Sequence, residues 1–124
     1  MKKLTLVLMA VGILCGYSLV RTESAISAPA TFEIKGTIID NFCAEANADK
    51  LPTFVKTHTK ACALKCATGG YSILAENGKL YKFDAQADAM IEAFLKKPES
   101  KLAVLVKVQQ ISDDLTLISI NNQN

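Results

Sequence analysis

The sequence predicts a small all-β fold leaning towards α+β, with five short strands, a helical insertion after the first and one helix between the third and fourth. Three observations carry this. Short apolar runs rich in β-branched residues, "TFEIKGTIID", "YSILA", "KLYKF", "KLAVLVKVQQI" and "LTLISI", are bounded by turn residues. Asn77-Gly78 separates the second from the third, and this dipeptide favours a two-residue hairpin turn. Helical spacing is confined to two places, one between the first two runs and one between the third and fourth. This order is that of a five-stranded OB-type barrel, in which the first strand bends at a glycine. An open α+β sheet with both helices on one face is the alternative.

The chain starts with a segment of a different kind. Met1-Lys2-Lys3 is a short positive start, Leu4 to Val20 carries no charge, and "RTESAISAPA" ends in small residues. This is the layout of a secretory signal peptide over residues 1–30, with cleavage expected after Ala30. An uncleaved anchor is second-best, because a 17-residue apolar run is slightly short for a bilayer span. Lipidation at Cys15 is rejected, since Leu14 stands where a small residue is needed. Residues 31–124 then form a single domain that is periplasmic or secreted.

Removing the leader changes charge and cysteine count. Of 14 Lys and Arg, Lys2, Lys3 and Arg21 lie in it; of 12 acidic residues, only Glu23 does. The remaining 11 of each leave no net charge, so neither nucleic acid nor an anionic membrane is an expected partner. A membrane would be met only through an uncleaved leader, and the partner is otherwise an unknown protein or small molecule. Four cysteines become three: Cys43, Cys62 and Cys66. An oxidising compartment favours disulfides, but an odd number leaves one thiol over.

In strand 1, Phe32, Ile34 and Ile38 alternate, and Gly36 marks a bulge or bend. "NFCAEANADKLP" reads as an irregular connection. Thr53 to Ala67 reads as one helix ending at Gly69-Gly70, an apt left-handed cap. Asp84 caps the second helix, whose apolar stripe is Ala89, Met90, Ala93 and Phe94, and Pro98 stops it. Asp113-Asp114 is a turn, and "NNQN" is a frayed tail. Tyr71, Tyr81 and Phe83 lie where OB-type folds stack bases, but without a basic patch they read as packing residues.

The chemistry gathers in "HTKACALKCATGG". On one helix, His58, Cys62 and Cys66 would form a ridge, with neighbouring Cβ atoms ~6 Å apart. Imidazole and thiolates at that spacing suit zinc, or copper in its reduced state. Cys43 or Asp40 would supply a fourth ligand. The competing reading is a disulfide from Cys43 to Cys62 or Cys66, closing a loop of about twenty residues and stabilising by roughly 3 kcal/mol. Thiol-redox chemistry on the same residues, with His58 lowering a thiol pKa, is the third. No Gly-rich phosphate loop, Ser-His-Asp set or paired catalytic carboxylates is present, so no enzymatic activity is expected.

"GTIIDNFC", "HTKACALKCATGG" and "SILAENGKLYKFD" together resemble a family of small exported bacterial proteins of unknown function. Their pattern runs G-x-V-V-D-x-x-C, then H-x-x-x-C-A-x-x-C-x-x-x-G, then D-G-K-x-Y. The matching positions are Gly36, Asp40, Cys43, His58, Cys62, Ala63, Cys66, Gly70, Gly78, Lys79 and Tyr81. The resemblance covers roughly residues 32 to 84. It implies export, an OB-type domain and a functional grouping of Asp40, Cys43, His58, Cys62 and Cys66, and it supplies no activity. Many relatives carry a proline soon after the glycine, where this chain has Tyr71-Ser72.

Overall fold

The computed structural model describes residues 28–124. The leader expected over residues 1–30 therefore falls, except for its last three residues, outside the described ones. Five strands form one antiparallel sheet: β1 (Thr31–Asp40), β2 (Tyr71–Ala75), β3 (Leu80–Lys82), β4 (Ala103–Gln110) and β5 (Leu115–Asn122), in the order β3-β2-β1-β4-β5. Beside the sheet lie α1 (Asn41–Ala46), α2 (Leu51–Phe54), α3 (Lys60–Lys65), a 3-10 turn at Ala67–Gly69 and α4 (Ala85–Leu95). The fold is thus mixed α+β and mostly sheet. No helix among the described residues is long and apolar enough to cross a membrane.

β1 is central because it serves two neighbours in succession. Its first seven residues pair with β4, and Gly36 to Asp40 pair with β2. The overlap falls at Gly36 and Thr37. There a Cβ on Gly36 would stand 2.4 Å from the Leu74 carbonyl oxygen, so only glycine lets the strands approach. At the far ends of the sheet order, Phe83 makes one parallel bridge to Leu115, and the Asp84 N–H donates to the Leu115 carbonyl at 2.9 Å.

Alternation along the strands divides the apolar residues between two faces. Ile34, Ile38, Tyr71, Ile73, Val104, Val106, Val108, Leu115 and Leu117 pack with Ala63 of α3 and with Ala87, Ile91, Phe94 and Leu95 of α4. Ile39 and Leu74 point the other way and meet Ala44 of α1 and Leu51 of α2. α3 and α4 therefore share one face, as in the open-sheet alternative, while α1 and α2 cover the other. Enclosure from both sides also explains why Ile38, Ile39 and Asp40 are buried in succession.

Five local expectations need correction, the last of them at the β2–β3 turn. The irregular connection after β1 contains α1, because the Asp40 carboxylate accepts the Cys43 N–H and starts a helix there. The single helix from Thr53 to Ala67 is two short helices. Thr59 has extended backbone and its side chain accepts the Cys62 N–H, so Thr59 begins a new helix rather than continuing an old one. In α4 the buried stripe is Ala87, Ile91, Phe94 and Leu95, with Ala89 and Ala93 exposed: the larger side chains take the core face. The tail is also held, since Asn122 is in β5 and the Gln123 side chain donates to the carbonyls of Gly36 and Val104.

The hairpin between β2 and β3 turns one residue earlier than the dipeptide implies. The Gly78 N–H donates to the Ala75 carbonyl at 2.9 Å, which puts Glu76 and Asn77 at the turn centre. Gly78 follows with φ +86°, a left-handed position after a type I turn.

Candidate metal centre

The site begins with Asp40, the last residue of β1 and the cap of α1. It is fully buried, and both carboxylate oxygens are used. Oδ1 accepts the Cys43 N–H at 2.9 Å, and Oδ2 lies 2.9 Å from His58 Nε2. A buried carboxylate without such partners would be strongly disfavoured. His58 sits in the link between α2 and α3, its side chain only 1% exposed. The Phe54 ring packs against the imidazole with centroids 5.5 Å apart. The other ring nitrogen, Nδ1, is buried and has no hydrogen-bond partner.

Cys43 completes the group from the first turn of α1. One donor atom each from Asp40, Cys43 and His58 lies within 4.8 Å of the others. That spacing can hold a metal ion between one oxygen, one sulfur and one nitrogen donor. Burial, then the hydrogen bond to the Asp40 carboxylate and its charge, push the Cys43 thiol up to about 11. A thiol so disposed is a poor nucleophile in the metal-free state, because the thiolate is the reactive form.

Three of the five sequence-predicted residues are therefore brought together: Asp40, Cys43 and His58. Cys62 and Cys66 are not part of this tight group. Cys62 is exposed on α3 and Cys66 is half-buried at its C-terminal end. The ridge of three fails because His58 precedes the Thr59 cap and does not share a helix with the two cysteines. All three described cysteines are free thiols in this structure.

A polar frame around the site has no counterpart in the sequence reading. The buried Asn41 side chain donates to the Gly69 carbonyl and accepts from the Ser72 hydroxyl, tying α1 to the segment before β2. Asp88 of α4 accepts the Tyr71 N–H at 2.8 Å, and burial raises its carboxyl above the ordinary value. Gly70 between them has φ +78°, and a Cβ there would meet Asp88 at 2.6 Å. Tyr71 donates its hydroxyl to the Ala63 carbonyl, and burial pushes that phenol up to about 12. A proline at position 71 would lack the N–H that Asp88 uses. On the other side of α3, the Lys60 ammonium donates to the carbonyls of Lys97 and Ser100 at 3.0 and 2.9 Å.

Comparison of the chain with protein-family models, with curated proteins and with solved structures finds no match.

Proposed function

We propose that this is a small exported domain that binds one transition metal, zinc or reduced copper, in a structural, sensing or carrier role. The observation that carries the reading is the buried group itself: Asp40, Cys43 and His58 within 4.8 Å, with a histidine nitrogen left bare. Imidazole with thiol donors selects borderline and soft ions over magnesium or calcium. Cys62 on α3 and Cys66 at its C-terminal cap offer further thiols a few residues beyond His58.

Thiol-redox chemistry is the weaker reading, because a Cys43 thiol pushed up to about 11 is not activated. A substrate site is weaker as well. Two surface clefts of about 240 Å³ flank the β2–β3 hairpin, and neither is lined by Asp40, Cys43 or His58. An OB-type barrel is supported by the sheet order and by the Phe83–Leu115 bridge between its two ends.

Native mass spectrometry of the purified protein after zinc addition tests the function. One bound zinc with all cysteines reduced is expected, and Cys43→Ser and His58→Ala should each abolish stoichiometric loading. Loss of two hydrogens with no metal adduct would instead support a disulfide-stapled binding module.

A further inference from the structure

We infer that His58 receives the metal through Nδ1, while Asp40 is a positioning residue that holds the ring's other nitrogen. This rests on the metal reading above and names the donor atoms within it. An ionised carboxylate can only accept, so the 2.9 Å contact between Asp40 Oδ2 and His58 Nε2 needs the proton on Nε2. In a neutral ring Nδ1 then carries the lone pair. That atom is buried and without a partner, an unfavourable condition for a polar group. A metal on Nδ1 satisfies it and keeps the Asp40 bond.

The opposite arrangement disturbs two groups. A metal on Nε2 would displace its proton and break the bond to Asp40. The ring proton would move to Nδ1 and become a buried donor with nothing to accept it. Asp40 is also anchored for the positioning role. It closes β1, caps α1 through its other oxygen and is fully buried, so its Oδ2 is fixed relative to the ring. The Phe54 ring constrains the imidazole from one side. Carboxylate–histidine–metal relays fix the tautomer and raise the ligand's basicity in this way. The nitrogen donor is then His58 Nδ1, and the Asp40 carboxylate leaves the donor set.

The chain has a single histidine, so its ring signals are unambiguous. Long-range proton–nitrogen correlation spectra of the purified protein, recorded before and after one equivalent of zinc, read each ring nitrogen directly. The expected result is a protonated Nε2 throughout and a metal-bound Nδ1 after zinc. Zinc binding with the proton on Nδ1, or with both ring nitrogens unchanged, overturns the inference and leaves the metal function standing. Absence of zinc binding overturns both. Asp40→Asn adds an independent reading: the amide oxygen keeps the α1 cap and turns its NH2 towards Nε2, which drives the ring proton to Nδ1. Zinc affinity should fall ~10–100-fold, with that proton visible on Nδ1. A proton remaining on Nε2 in this variant at unchanged affinity would remove Asp40 from the positioning role.

Discussion

At the scale of single residues, accessibility and electrostatics separate three thiols of identical chemistry. Cys62 is exposed, Cys66 is half-buried, and Cys43 is held against Asp40 with its thiol pushed up to about 11. In protein freed of metal by a chelator, iodoacetamide should therefore modify Cys62 first and Cys43 last. Peptide mass mapping of a timed reaction reads that order, and prior modification of Cys43 would contradict its placement. Asp88 supplies a pH dependence of known sign. Burial raises its carboxyl, so the folded state binds that proton more tightly than the unfolded chain. The resulting stability is present below the ordinary carboxylate range and is lost as pH rises through the raised value. Asp88→Asn keeps an acceptor for the Tyr71 N–H and should flatten that decline in urea-unfolding midpoints measured across the acidic range.

At the scale of elements, helix starts decide the site more than helix propensity does. Strand β1 was legible to its boundaries, because Phe32, Ile34 and Ile38 fall at alternate positions of a run bounded by the Asp40 cap. The break before α3 was legible in principle: a threonine three residues before Cys62 is a cap signal, and the even spacing of His58, Cys62 and Cys66 concealed it. Asp40 and Cys43 were identifiable as candidates, but their contact with His58 spans 18 residues of chain and depends on tertiary closure. The face of α4 was misassigned because small alanines match a stripe by spacing alone, whereas burial favours bulk. Ile91→Ala should cost ~2–5 kcal/mol, while Ala89→Lys should stay within about 0.5 kcal/mol; chemical denaturation of both variants distinguishes the two stripes. Lys60 links α3 to the segment just beyond α4, where its ammonium donates to the carbonyls of Lys97 and Ser100. Lys60→Met should destabilise by about 1–2 kcal/mol, seen as a lower urea midpoint.

At the scale of the whole molecule, two apolar clusters on opposite faces of one sheet are joined through the polar knot at the end of β1. A metal that binds only the folded form adds stability by mass action. Zinc at 100 times its dissociation constant should contribute about 2.7 kcal/mol, and a domain of this size gains roughly 4–8 °C in Tm per kcal/mol. A chelator should reverse the shift, and calorimetry with and without zinc measures it. The five strands and a mostly-sheet fold followed from alternation and turn residues, whereas the helices on both faces did not. The polar frame of Asn41, Ser72 and Asp88 did not, because it joins residues far apart in the chain with no local pattern to mark them.

The position of Asp40 at the strand-to-helix junction has a consequence for the order in which the protein is made. Asp40, Cys43, His58, Cys62 and Cys66 all lie within one continuous stretch that precedes β2. A chain growing from its N-terminus therefore presents every candidate donor before four of the five strands exist. Yet Asp40 is fixed only when β1 has paired with β2, through the register that sets Asp40 opposite Tyr71. The donors are synthesised early and aligned late. On the metal reading proposed above, capture would be coupled to the closing of that first strand pair, and occupancy of the site would report that the pairing has taken place.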